Sequence, residues 1–325
     1  FLLNRSSDLA ELTLSLDDFA DRILTPAMTR LAAEVEKTVI NGVYPYVYNL
    51  ENTTHGTKPV LSDLMASRAI LQQGLAPTNE RYALVDALAA NAIMNDTKTL
   101  FHAADSIEAQ YSQGLVGTIG GVKFFESEMA PRHTCGTRTT AGTVSLSTVA
   151  NGDTTLTTVH TTAETFTAGD VITVAGVYAV NPETKVTYPH LQQFSVVTAK
   201  TCDGSDVLDV SPTIYKSGAK QNVYCADWTA TAAASVVDEA SVRTSGTASA
   251  IYTNSLVYHK DAFTMVTADL EMPQGVDFAS RKVIDGISLR IVRQYDVVND
   301  RFPCRIDVLF GYKALRPEWA TRMSS

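Results

Sequence analysis

Gly169-Asp170-Val171-Ile172-Thr173-Val174-Ala175-Gly176-Val177 is the stretch that decides how this chain folds. Gly169-Asp170 signals a turn, and the β-branched run from Val171 through Val180 signals a strand. Working outward, the pattern repeats. Val144 to Val149, Phe194 to Thr198 and Val207 to Val210 are short runs of the same kind. Asn151-Gly152-Asp153, Asn181-Pro182 and Asp203-Gly204-Ser205 separate them as turns. From Thr137 to Ala168, 13 of 32 residues are Thr, a composition that favours strand over helix. Short strands divided by turn signals predict a small antiparallel barrel or sandwich over residues 138–225.

The pattern on either side is mixed, so the β-rich segment reads as an insertion. Upstream, Leu9, Leu12, Leu14 and Leu16 alternate with polar residues and lead into a helix. Ser15 and Asp18 form a capping-box-like pair, and Asp17, Asp18 and Asp21 suit the positive end of a helix dipole. Phe19, Ile23, Ala27, Leu31, Val35 and Val39 recur every fourth residue, with Leu24, Met28 and Ala32 widening the stripe. A helix from Asp17 to Asn41 would be about 37 Å long. Pro26 is expected to kink it or split its first turns off, and Gly42 to stop it.

Residues 61–128 predict a helix from Leu61 ending near Gly74 and Pro77, then a strand at Tyr82 to Val85. A helix over Ala87 to Met94 and another marked by Ile107, Tyr111 and Leu115 follow. Gly117-Thr118-Ile119-Gly120-Gly121 then turns the chain into a strand over Val122 to Ser127. After the insertion, Ala230 to Glu239 suggests a short helix, and strands are expected at Phe263 to Leu270 and Ile287 to Gln294. The clearest alternation comes near the end. Cys304, Ile306, Val308 and Phe310 take one face and Arg305, Asp307 and Leu309 the other, after a turn at Asn299-Asp300.

The chain's 325 residues, 45% hydrophobic and 19% charged, can bury a substantial core, which argues against global disorder. No apolar run reaches the roughly 18–20 residues of a membrane span, and Phe1-Leu2-Leu3-Asn4-Arg5 lacks the pattern of a signal peptide. A net charge of −9 disfavours chain-wide binding of nucleic acid, which depends on Lys and Arg neutralising phosphates. Cys135, Cys202, Cys225 and Cys304 are too scattered for a CxxC site and are expected to be reduced and mostly buried.

Motifs for chemistry are weak. His55, His102, His133, His160, His190 and His259 form no HxH or HExxH pattern and read as surface or singly hydrogen-bonded residues. The Gly117-x-x-Gly120-Gly121 stretch lacks the Lys-Ser/Thr of a phosphate loop and precedes a strand, so it reads as a tight turn. Asp203-Gly204-Ser205-Asp206 lacks the spaced acids and closing Glu of a calcium loop. No GxSxG elbow is present. The expectation is therefore no catalytic residue, no metal ligand and no cofactor.

Four stretches, in order, resemble the P-twenty-two-like coat proteins of tailed phages, which share the Hong Kong ninety-seven capsid fold. Leu14-Ser15-Leu16-Asp17-Asp18-Phe19 running through Ile23, Pro26 and Leu31 resembles the family's spine helix. Gly117-x-x-Gly120-Gly121-Val122-x-Phe124-x-x-Ser127-x-x-Ala130-Pro131 is similar to a turn, strand and loop of the axial domain. Gly169 to Val177 resembles a strand of the inserted β-barrel, with Phe194-Ser195-Val196-Val197 and Val210-Ser211-Pro212 fitting later ones. Cys304-Arg305-Ile306 through Phe310-Gly311-Tyr312, then Ala314-Leu315-Arg316-Pro317-Glu318, resembles the family's ending. The resemblance departs at the front: about 14 residues precede the spine helix here, where the family has an N-terminal arm and the first strand of the extended loop, and that part is expected to be cleaved, disordered, omitted or supplied by a later segment.

The resemblance implies an α+β fold of the capsid type: axial and peripheral domains, a long spine helix and an inserted antiparallel β-barrel. Its parts would be residues 1–14 (end of the extended loop), 15–60 (peripheral domain with spine helix) and 61–137 (axial domain, first part). Residues 138–225 would be the barrel, and 226–325 the rest of the axial and peripheral domains. It implies a non-enzymatic subunit that forms pentamers and hexamers of an icosahedral head around double-stranded DNA. Partners would be further copies of the chain, a scaffolding protein, a portal and a decoration or cement protein. Packaged DNA would lie inside without specific binding, and no membrane would be involved. The location would be the virion, with assembly in the bacterial host cytoplasm. The spine helix around Arg22 and Arg30 and the loops of the inserted domain are the expected assembly contacts. The Thr-rich insert also admits a β-rich virion surface or glycan-binding protein, and an α/β enzyme with an unrecognised site is the third reading.

Overall fold

The computed structural model describes residues 25–51, 57–97, 118–137, 142–160, 162–228, 234–238, 249–284, 287–299 and 303–324. In chain order its elements begin with α1 (Thr25–Val43), β1 (Leu50–Glu51), α2 (Leu61–Gln73), β2 (Arg81–Val85), α3 (Ala87–Thr97), β3 (Thr118–Ile119), β4 (Val122–Glu126) and β5 (Arg132–Thr134). Next come β6 (Gly142–Val144), β7 (Asp153–Val159), β8 (Glu164–Phe166), β9 (Val171–Val180), β10 (Thr187–Val196), β11 (Lys200–Cys202), β12 (Ser205–Ile214), β13 (Val223–Tyr224) and β14 (Ala234–Asp238). The last are β15 (Ile251–His259), β16 (Phe263–Ala268), β17 (Phe278–Ile284), β18 (Ile287–Arg293), β19 (Cys304–Ala314) and β20 (Ala320–Ser324). The class is α+β. One compact unit comprises Phe1–Val39 and Met265–Tyr312, and the other Ile40–Thr264 and Lys313–Ser325.

The larger unit contains a sheet ordered β1-β20-β15-β2-β4-β3, with β5 also paired to β15. Leu64 and Leu71 of α2, Ile93 of α3, Ala83 and Val85 of β2, and Val257 and Met323 form one buried core. The seven-residue spacing of Leu64 and Leu71 puts them on one helical face. Asp63 accepts from the Val60 N–H at 3.0 Å, capping the first turn of α2. Gly120 and Gly121 take φ of +59° and +80° in the turn between β3 and β4, as the tight-turn reading requires.

The same unit contains a second set of strands. β6 pairs with β7, β7 with β12, β12 with β10, β10 with β9, β9 with β14, and β14 returns to β6, all antiparallel. These six described strands thus form a closed circuit, and β13 pairs with Tyr178 and Ala179 of β9, beyond the stretch of β9 paired with β14. Closure leaves no unpaired edge within the circuit. Leu156, Phe166, Ile172, Val174, Phe194, Val196 and Leu208 are among its core residues. In β9, Val171, Ile172, Thr173 and Val174 are all buried, so both faces of the strand are covered. That explains why its sequence is a continuous apolar run rather than an alternation.

The smaller unit has a sheet ordered β16-β19-β18-β17. Leu289 lies opposite Val308 and Ile291 opposite Ile306, while Arg290 lies opposite Asp307 on the other face. Arg290 Nη2 stands 2.5 Å from an Asp307 oxygen, and Arg305 donates to the other. Met265, Val266, Phe278, Val283 and Leu309 are exposed on this sheet.

Several expectations are corrected. Gly42 does not stop the helix, which continues to Val43 and gives way to a 3-10 turn at Tyr44–Tyr46. Pro45 has no N–H to offer the carbonyl four residues back, so the α pattern fails there instead. Pro26 is the second described residue of α1, and the stretch before Thr25, on which the expected kink or split depends, lies outside the described residues. The run from Val144 to Val149 is a strand only to Val144, followed by a 3-10 turn at Leu146–Thr148. Ala234–Asp238 is a strand, not a helix, because β6 and β9 both use it as a pairing partner. The expected helix around Ile107, Tyr111 and Leu115 and the start of the spine helix lie outside the described residues. So does Asp300 of the expected turn, while Asn299 does lie in a turn.

Phe166 is buried in the circuit's core, whereas Val207 of β12 is half exposed. Phe166→Ala is expected to cost roughly 3–5 kcal/mol, and Val207→Ala within about 0.5 kcal/mol of nothing, in urea unfolding followed by circular dichroism.

Candidate functional site

Polar chemistry concentrates where the strand circuit meets the sheet of the same unit. Arg322 of β20 is 1% exposed. Its Nη1 donates to the Gly169 carbonyl at 2.6 Å and its Nη2 to Ser195 Oγ at 3.0 Å. The guanidinium also lies 4.6 Å from the centre of the Tyr44 ring. A buried charge needs partners of this kind, and the planar donor fork of Arg supplies several at once.

Asp170, fully buried, sits beside this contact. Its Oδ1 lies 2.7 Å from His133 Nε2. Its Oδ2 accepts from the Thr167 N–H at 2.5 Å and from Thr167 Oγ1 at 3.0 Å. The hydroxyl's single proton is shared with the Thr134 carbonyl at 2.7 Å, tying the turn before β9 to β5. Tyr44 fills the space between these groups. Its ring is 5.8 Å from that of His133, and Asn254 donates to its hydroxyl at 3.2 Å. Burial pushes the Tyr44 hydroxyl well above the usual phenol range, with Arg322 pulling the other way, so it stays protonated.

Gly169 shows how close the packing is. Its φ is +99°, and a Cβ there would fall 2.6 Å from a Tyr44 ring carbon. Neither a side chain nor an ordinary backbone conformation fits. Nearby, the Gln193 amide grips the backbone of β1. Leu50 N–H donates to Gln193 Oε1 at 2.8 Å and Gln193 Nε2 donates to the Leu50 carbonyl at 3.1 Å. This imitates strand pairing and covers an outer strand of the sheet. Ser211 Oγ donates to the Tyr46 carbonyl at 3.0 Å. A groove of about 900 Å³ runs alongside, lined by Ile70, Tyr48, Lys185, Tyr188 and Glu318. Burial raises the Glu318 carboxyl above the ordinary carboxylate range.

The residues singled out in the sequence are distributed differently. Arg30 is exposed on α1, and Arg22 lies outside the described residues. Asp203 and Asp206 close a local turn, the Asp203 N–H donating to Asp206 Oδ2 at 3.1 Å. Cys135 and Cys202 are buried, but Cys225 is only partly buried and Cys304 is exposed. The histidines divide between the two expected kinds: His190 is exposed, while His133 and His259 each have a hydrogen-bond partner, Asp170 and the Asp261 N–H. His133, His160 and His259 are buried, and His160 lies 3.5 Å from the equally buried Glu164. The residues that sequence reasoning missed are Tyr44, Asp170 and Arg322. The one available signal was His133-Thr134-Cys135, in which two ligand-type side chains share a strand face.

A family model described as P22 coat protein, gene protein 5, matches residues 4–323. Among solved structures, a chain from Mycobacterium phage Che8 is similar at 10% identity and a TM-score of 0.42, over 97% of this chain and 66% of that one. A chain from the capsid structure of the cyanophage P-SCSP1u is similar at 11% identity and a TM-score of 0.41, over 98% of this chain and 68% of that one. The chain thus spans about two thirds of each of those chains. No curated protein sequence matches it.

Gly169 and Gly176 both have positive φ, but nothing lies within 4 Å of a Cβ at Gly176. Gly176→Ala is expected to cost about 1–2 kcal/mol from backbone strain alone. Gly169→Ala should lower Tm further in differential scanning fluorimetry, because Tyr44 must also move.

Proposed function

The chain belongs to the P22 coat protein family, a family of structural proteins, and we propose on that footing that it is the major shell subunit of a tailed-phage head. The observation that carries this is the family match over residues 4–323. The proposed work is mechanical. Copies associate as pentamers and hexamers, and many modest contacts summed over a closed icosahedral shell yield a stable particle around double-stranded DNA. The partners proposed are further copies of the chain, a scaffolding protein, a portal and a decoration protein. The proposed location is the virion, after assembly in the host cytoplasm.

Within that reading, the sheet and helices of the larger unit correspond to the axial domain. The strand circuit from Gly142 to Asp238 corresponds to the inserted barrel. The start of α1 with the β16–β19 sheet corresponds to the peripheral domain, whose exposed Met265, Val266, Val283 and Leu309 suit contacts between subunits. The net charge of −9 suits a wall that leaves packaged DNA free to leave.

Electron microscopy of the purified chain, with and without its scaffolding protein, tests the proposal. Closed shells are expected with scaffold, and particles that never exceed the monomer in either condition would count against it. Arg30→Glu is expected to reduce shell yield while leaving Tm unchanged, since the side chain is exposed on α1.

A further inference from the structure

His133, Cys135 and Asp170 each offer a donor atom, and the three atoms lie within 4.8 Å of one another. We propose that they form a binding site for a divalent metal ion of borderline softness, Zn²⁺ in the first instance. His133 and Cys135 are two apart on extended chain, so they share a face. The Cys135 N–H donates to the Ala250 carbonyl at 2.9 Å, which keeps that stretch in register beside β15. Asp170 comes from the turn before β9. Two otherwise separate parts of the unit therefore supply the ligands.

The donor chemistry selects the ion. Imidazole nitrogen, thiolate sulfur and carboxylate oxygen together suit zinc, whereas calcium and magnesium favour oxygen alone. The ion's two positive charges would be matched by the carboxylate and the thiolate. The thiol proton leaves to solvent, and the proton between His133 Nε2 and Asp170 moves to the other ring nitrogen or to solvent, so every ligand binds deprotonated. The carboxylate already has outer support. Thr167 holds Oδ2 through its N–H and hydroxyl, leaving Oδ1 to face His133. Where a protein supplies three ligands to zinc, a solvent molecule is the usual fourth.

The geometry needs one adjustment. His133 Nε2 and Asp170 Oδ1 are 2.7 Å apart, a hydrogen-bond distance. Nitrogen and oxygen on one tetrahedral zinc stand roughly 3.3 Å apart, given bonds of about 2.0–2.1 Å. The ion must part the pair by roughly half an ångström, within reach of a small side-chain rotation. The bound ion would replace that hydrogen bond and staple β5 to the turn before β9, reinforcing the contact made by Arg322.

The test is metal titration of the full chain, refolded in metal-free buffer, first with Zn²⁺ and then with Co²⁺. Elemental analysis after gel filtration should find one tightly held ion per chain, and Zn²⁺ should raise Tm. The Co²⁺ form should show a thiolate-to-metal charge-transfer band that Cys135→Ser abolishes and Cys304→Ser retains. No stoichiometric uptake by the unmodified chain would overturn the proposal, whatever the variants do. So would a band that survives Cys135→Ser but is lost in Cys304→Ser, which would place the metal on the exposed thiol. Should Cys135→Ser fail to fold, Asp170→Asn decides the matter by the same band, which must weaken or shift.

Discussion

The guanidinium of Arg322 is the constraint around which the larger unit is arranged. It leaves the last strand of the sheet, crosses the face of Tyr44 and reaches the Gly169 carbonyl and Ser195 hydroxyl of the strand circuit. A buried cation that lost these acceptors would be costly, so circuit and sheet are held in one relation. Nearby features follow from that contact. Gly169 must be glycine because Tyr44 lies against it. Tyr44 must sit there because Arg322 and His133 flank it. Gln193 and Ser211 bind the backbone on either side of Val47, locking the segment after α1 to the circuit.

For a protein whose proposed work is to tile a shell, such a joint has a clear use. A strand circuit on a free linker would blur every contact made through it. One fixed by a buried charge, a buried carboxylate and a two-way amide clamp can present its surface reproducibly. The exposed apolar residues of the β16–β19 sheet are a separate matter, left for neighbours under the proposed reading.

Much of this was legible in the sequence, and the failures have physical causes. Val171 to Val180, Leu61 to Gly74, Tyr82 to Val85 and the Cys304 strand could be read because each has a simple apolar pattern or a turn residue at its end. β15 was missed because it is covered on both faces and buries Asn254 and Ser255, which destroys any alternation. β20 was missed for a similar reason. Ala-Thr-Arg-Met-Ser looks like a polar tail, yet all five residues are buried. β14 looked helical because alanine dominates its surroundings, while its pairing with β6 and β9 is set by residues far away in sequence. The junction was invisible for the same reason: Tyr44, His133, Asp170 and Arg322 meet only after folding. The two arginines expected as contacts were chosen from a helical pattern, which identifies an exposed face but not what meets it.

The central claim, that this chain builds a closed shell, is tested most directly by charge-detection mass spectrometry of the chain assembled with its scaffolding protein. The account predicts discrete masses at the copy numbers that icosahedral symmetry allows. A continuous ladder of small oligomers, or a monomer alone, would contradict it.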